Sequence, residues 1–158
     1  MKIIGLDIGF ARVGVAIGES DIKLAFPREQ LKFEEYLPKL QKIIREENVT
    51  AIVIGDPKSS ENLEDSSYVK DSGKKKYKND HREKTLREKE NIKLTLGLPV
   101  FVFDERFTTQ IAEASLTQMG VKMKKQKNSK DSVAAAIILQ NWFDSVQFYS
   151  DVQKIDII

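Results

Sequence analysis

At 158 residues with a net charge of +2, the chain is long enough for one domain with a buried core, and it is not a polycation. It has no cysteine and one histidine, His81, which excludes disulfides, thiol nucleophiles and zinc centres built on several Cys or His ligands. Hydrophobic residues make up 41% and charged residues 32%, as in ordinary globular proteins. No apolar run reaches the length of a membrane span and no signal-peptide pattern opens the chain, so a cytoplasmic protein without membrane contact is expected.

Lys2 to Ile8 is a short apolar run closed by Gly9, and Arg12 to Gly18 follows after the brief link Gly9-Phe10-Ala11. Two such runs with so short a link predict a β-hairpin. Lys23 to Phe26 adds a third strand, stopped by Pro27. Phe33, Leu37, Leu40, Ile43 and Ile44 recur at helical spacing and predict a helix over 33–47. Ala51 to Ile54 reads as a buried strand closed by Gly55-Asp56-Pro57. Residues 58–82 are polar and lysine-rich with little periodicity, and read as a loop or insertion. A charged, weakly amphipathic helix is expected over 83–96, ended by Gly97. Val100 to Phe103 is the next strand. Thr108 or Thr109 can cap a helix with Ile111, Ala112, Leu116 and Met119 on its apolar face, and Gly120 ends it. Ser129 can cap a last helix through Asp144, with Val133, Ile137 and Trp142 among its buried positions. Strands that begin as a hairpin and then alternate with helices predict one α/β domain over 1–158 with a mixed sheet.

Three acidic segments lie at the ends of these elements: Asp7, Asp104-Glu105-Arg106 and Asp131. A carboxylate at the end of a buried strand is costly unless it is paired, protonated or bound to a cation. Hard divalent cations take oxygen ligands, so such a trio suits Mg²⁺ or Mn²⁺ together with substrate phosphates. Each residue also has a plainer reading. Asp7 could belong to a turn, although the apolar run continues through it. Asp131 sits where the helix dipole favours an anion, a contribution of about 0.3–1 kcal/mol. Asp104 and Glu105 are adjacent on a strand and point to opposite sides, so only one can readily face Asp7. Arg106 can grip phosphate with its planar fork or pair with Asp104 or Glu105. Ala134, Ala135 and Ala136 are small enough to let the last helix lie close to the sheet and bring Asp131 near Asp7.

Lys74, Lys75, Lys76 and Lys78 form one basic cluster; Lys122, Lys124, Lys125, Lys127 and Lys130 form another that runs into Asp131. Phosphate backbones bind such clusters through counterion release, while a solvated loop is the plainer reading.

Lys2 to Ala16, Leu98 to Ala112 and Lys130 to Gln140 together resemble the three signature blocks of the YqgF family. That resemblance implies an RNase H-like fold: five strands in a mixed sheet, the first three antiparallel, with helices on both faces. It implies a Mg²⁺- or Mn²⁺-dependent endonuclease whose metal ligands and catalytic residues are Asp7, Glu105 and Asp131, with Glu105 chosen over Asp104. Gly9, Arg12, Arg106, Lys124, Lys125 and Lys127 are the candidate substrate-binding residues. The chemistry would be two-metal phosphodiester hydrolysis, with water activated at one ion and the leaving oxygen stabilised at the other. The expected substrate is structured RNA, with processing of the pre-16S ribosomal RNA 5′ end in a ribosome precursor as the leading role. Holliday-junction resolution on branched DNA, or an inactive nucleic-acid-binding module, are the alternatives, and the protein would be a monomer or homodimer. The segment Gly55-Asp56-Pro57-Lys58-Ser59-Ser60-Glu61-Asn62 departs from the family pattern by lacking a later glycine, which bears on substrate contacts there.

Overall fold

The computed structural model describes residues 1–57, 72–104 and 130–156, with side chains over 1–57, 80–104 and 130–155. Its strands are β1 (Lys2–Ile8), β2 (Arg12–Glu19), β3 (Leu24–Lys32), β4 (Val49–Asp56) and β5 (Val100–Asp104). Its helices are α1 (Tyr36–Glu47, after a 3-10 turn at Phe33–Glu35), α2 (Ser72–Leu96), α3 (Lys130–Phe143) and α4 (Val146–Asp156). The strands form one sheet in the order β3-β2-β1-β4-β5. β1 pairs antiparallel with β2, and β2 with β3, while β4 runs parallel to β1 and β5 parallel to β4. This is the five-stranded mixed α/β sheet expected from the sequence.

Alternation along each strand sends apolar side chains to two separate cores. Ile3, Ala16, Ala51, Val53 and Phe103 pack under α3 and α4, against Leu139, Trp142 and Phe148. Ile4, Leu6, Ile8, Val13, Val15, Ile52 and Ile54 pack on the other side, against Tyr36, Leu40 and Ile43 of α1 and Ile92 of α2. A sheet buried on both faces reads as continuous apolar runs. That is why β1 and β4 look so uniformly hydrophobic.

α3 lies unusually close to β1 and β2. A Cβ at Gly5 would stand 2.8 Å from Leu139 Cβ and 2.9 Å from the Ala135 carbonyl, and one at Gly14 only 1.9 Å from the Asp131 carbonyl. Asp131, Ala135, Leu139 and Phe143 follow one another at four-residue spacing, so they share the stripe of α3 that faces the sheet. This corrects the expected buried positions: Trp142 is buried, but Val133 and Ile137 are only half-buried.

Several boundaries differ from expectation. β3 does not stop at Pro27 but runs through it to Lys32. It is an edge strand, where proline's lack of an N–H is tolerated. The register shifts by one beside Arg28, a bulge. The helix expected from residue 83 begins at Ser72, so the end of the 58–82 segment is helical and not loop. Residues 58–71 lie outside the described residues, as does the helix expected after Thr108. α4 was not anticipated at all. The Trp142 indole N–H donates to Asp151 at 2.9 Å, Gln147 donates to Asp151 at 2.8 Å and to the Val102 carbonyl at 2.9 Å, and Ile155 packs on the core.

Gly14→Ala tests the close approach. The new methyl overlaps the Asp131 peptide, so α3 has to shift, at a cost of roughly 1–3 kcal/mol as for other overpacked sites. Urea denaturation should show a lower midpoint with an unchanged m-value, although alanine ordinarily suits a strand better than glycine.

Candidate metal centre

Asp7 is the second-last residue of β1, and its antiparallel partner on β2 is Gly14. Directly paired residues point to the same face, here the face covered by α3. The Asp131 peptide occupies the space where a Gly14 side chain would be. The two carboxylates are thus neighbours, brought together by one strand and by the first turn of one helix. Asp131 at the start of α3 also has the favourable helix dipole behind it.

The arrangement carries electrostatic tension. The Asp7 carboxyl is pushed up to about 6, first by burial and then by the charge of Asp131, with His81 acting in the opposite direction. Arg12 partly offsets this, with its Nε 3.2 Å from an Asp131 carboxylate oxygen. That guanidinium is 59% exposed, so it sits at the rim and can be reached from solvent. A half-buried pair of neighbouring carboxylates is a donor set that suits a hard divalent cation, which would relieve their repulsion. Among the described residues no group of three His, Cys, Asp or Glu side chains forms a metal cluster. Glu105 and Arg106, directly after β5, lie outside the described residues, as do Lys124, Lys125 and Lys127.

The β1–β2 turn is held tightly. The Gly9 N–H donates to the Arg12 carbonyl at 2.9 Å, and a Cβ at Gly9 would stand 2.9 Å from that same oxygen. The Phe33 N–H donates to the Ala11 carbonyl at 3.0 Å. Gly9 is therefore accounted for by turn geometry.

Four residues near this edge were not singled out from sequence. His81 on α2 donates from Nε2 to the Ile8 carbonyl at 2.7 Å, and its ring lies 5.1 Å from that of Phe10. Lys84, one turn further along, donates to the Phe10 carbonyl at 2.8 Å and stands over the Phe33 ring at 3.6 Å. Arg82 Nε lies 3.6 Å from Asp56, which ends β4 and pairs in register with Asp104 of β5. The available signal was positional: His81, Lys84 and Glu88 recur at helical spacing.

The family described as "RuvX: Holliday junction resolvase" matches residues 1–145. The chain belongs to that family. Its relatives include proteins named "Putative pre-16S rRNA nuclease" from Staphylococcus haemolyticus, 36% identical over 92% of this chain and 97% of the relative. Those from Malacoplasma penetrans (34% identical, 91% and 94%) and Listeria monocytogenes (31%, 92% and 99%) carry the same name. Among solved structures, RuvC of Thermus thermophilus in complex with Holliday junction substrate superposes with a TM-score of 0.52, covering 90% of this chain and 93% of that one. At 14% identity that likeness concerns the fold, which is RuvC-like and hence RNase H-like.

The raised Asp7 carboxyl predicts a pH dependence with a definite sign. The fold favours its protonated form, so its contribution to stability is full below the unfolded value of about 4 and is lost as pH rises through about 6. Without metal, Asp7→Asn should therefore be more stable than wild type at pH 8, by roughly 1–2 kcal/mol after allowance for partial exposure. The gap should close near pH 4. Denaturation midpoints in EDTA at both pH values check this; an equal gap at the two would remove electrostatics as its cause.

Proposed function

We propose that this RuvX-family chain is a divalent-metal-dependent endonuclease that processes the 5′ end of pre-16S ribosomal RNA. The observation that supports it most is the meeting of Asp7 and Asp131 across Gly14 on one face at the end of β1. Asp7, Glu105 and Asp131 would hold Mg²⁺ or Mn²⁺. When bound, the metal supplies an activated water and neutralises charge on the phosphate. The chain's own residues do the rest. Asp7 and Asp131, together with Glu105, would hold the cation beside the reacting phosphate. Burial of Asp7 on the sheet side excludes bulk water there, which strengthens electrostatic stabilisation of the developing charge. Arg12, exposed at the rim beside Asp131, would bind a substrate phosphate with its planar fork. Gly9 would let substrate phosphate approach the backbone of the tight turn, and Arg106, Lys124, Lys125 and Lys127 would grip the nucleic-acid backbone.

The relatives' name favours the ribosomal RNA substrate. The family's description favours a second reading, resolution of a four-way DNA junction, which calls for two active sites in a symmetric dimer. No helix among the described residues is long and apolar enough to cross a membrane. We take residues 1–158 as one domain acting in the cytoplasm, as a monomer or a homodimer.

Cleavage assays on precursor ribosomal RNA and on a four-way junction, side by side with Mg²⁺, Mn²⁺ or EDTA, test this directly. Wild type should cut the RNA only with metal, and Asp7→Asn and Asp131→Asn should each lose activity by a factor of at least 10² while remaining folded. Preferential cutting of the junction would move the substrate to DNA. Binding without cutting on either would leave a nucleic-acid-binding module.

The basic run ahead of α3 gives a separate prediction. Neutralising Lys124, Lys125 and Lys127 together should weaken binding about equally across sequences. It should also flatten the salt dependence by roughly 0.7–0.9 log units for each phosphate that the variant no longer neutralises. Superimposable plots of affinity against salt for wild type and the triple variant would make the run a linker.

A further inference from the structure

We infer that His81 is a positioning residue for the metal centre, holding from α2 the strand end and turn that present Asp7; this rests on the nuclease reading above. His81 approaches β1 from the face opposite the Asp7 carboxylate. Its Nε2–H reaches the Ile8 carbonyl at 2.7 Å, one residue past Asp7 and beyond the last β1–β4 pair, Leu6 with Ile54. A carbonyl only accepts, so Nε2 carries the proton in this contact, whatever the state of Nδ1. Nε2 is therefore committed to backbone, and His81 acts on the site through the Ile8–Gly9 peptide.

The contact is part of a wider clamp. Three carbonyls around the turn are anchored from outside the hairpin: Ile8 by His81, Phe10 by Lys84 at 2.8 Å, and Ala11 by the Phe33 N–H at 3.0 Å. Two of the three anchors come from α2, three residues apart and so on one helix face. α2 is itself fixed below them. Tyr36 of α1 donates to buried Glu88, Asn91 donates to Glu88 at 3.1 Å, and Ile92 is fully buried. Thr85 is buried and donates back to the His81 carbonyl at 3.0 Å. A helix docked this firmly gives His81 a fixed base from which to hold a turn that contains glycine.

α2 also begins at Ser72 and carries Lys74, Lys75, Lys76 and Lys78 in its first two turns.

Two substitutions separate reach from polarity. Glutamine places its amide nitrogen near the position of histidine Nε2, whereas asparagine, one bond shorter, places it near Nδ1 and falls short of the Ile8 carbonyl. Mn²⁺ affinity of the full chain is the main readout, with amide exchange at Gly9 and, on a cleaved substrate, the split between kcat and KM. His81→Asn should weaken Mn²⁺ binding about 10–100-fold, the usual effect of removing a residue that orients a ligand. It should also speed exchange at Gly9 and lower kcat with KM held. His81→Gln should bind Mn²⁺ nearly as wild type does. Equal Mn²⁺ affinity in wild type and both variants overturns the positioning role and leaves the metal centre standing. Equal weakening in both overturns it too, since reach would then be irrelevant. A wild-type chain that binds no Mn²⁺ brings down the nuclease reading and this role with it.

Discussion

The approach of α3 to the glycines of β1 and β2 decides where Asp131 meets Asp7. A helix over a sheet normally stands off by the thickness of both sets of side chains, about 10 Å between layers. Here Gly5 and Gly14 remove one set, and the α3 backbone at Ala135 and Asp131 fills the space directly. The same four-residue stripe that puts Leu139 and Phe143 against the sheet puts Asp131 against Gly14. Because Gly14 pairs with Asp7, helix packing and carboxylate placement are one constraint. The hydrophobic core under α3 is thus what holds two like charges together, and a change there would be felt at the site.

α2 does the complementary task from the other face with a different chemistry. Its sheet-facing side carries His81, Lys84, Thr85, Glu88 and Ile92, mostly polar groups that find partners in Ile8, Phe10 and Tyr36. Buried polar groups of this kind contribute modestly to stability when satisfied and are costly when one partner is removed. They therefore specify position more than they add stability. Burial pulls Lys84 below the ordinary lysine pKa, while Glu88 and Glu34 oppose that shift. Its amine donates to the Phe10 carbonyl at 2.8 Å and lies 3.6 Å over the Phe33 ring, so the side chain ties the turn to the 3-10 segment.

This contrast explains what could be read from the sequence. β1, β2, β4 and β5 were legible because a sheet buried on both faces makes unbroken apolar runs, and α1 because Leu40 and Ile43 recur on one face. Asp7 and Asp131 stood out as acids at the ends of such runs. α2 was legible only in part. Periodicity is sought in apolar residues, and its buried side is polar, so residues 72–82 looked like loop. Passage of β3 through Pro27 was hidden for a related reason: proline marks a break unless the strand is known to be an edge, and edge position is a property of the assembled sheet. α4 rests on Trp142, Asp151 and Gln147 finding one another, a tertiary contact with no local signature.

The two helices meet the same strand end by opposite routes, and this bears on how the site can respond to substrate. α3 reaches Asp7 side chain to side chain, so its influence is electrostatic: Asp131 raises the Asp7 carboxyl and Arg12 partly neutralises the pair. α2 reaches the Asp7 strand through backbone carbonyls, so its influence is chiefly geometric, with a smaller electrostatic part in which His81 opposes the effect of Asp131 on the Asp7 carboxyl. Under the proposed function, a cation held between the carboxylates would relieve their repulsion and leave the backbone contacts of α2 in place. Metal-free protein should therefore keep the turn geometry, with the repulsion between Asp7 and Asp131 unrelieved. The carboxylates are thus assembled in advance, held together against their own charge by the core packing, and under the proposed function a cation would release that tension without first having to organise the fold.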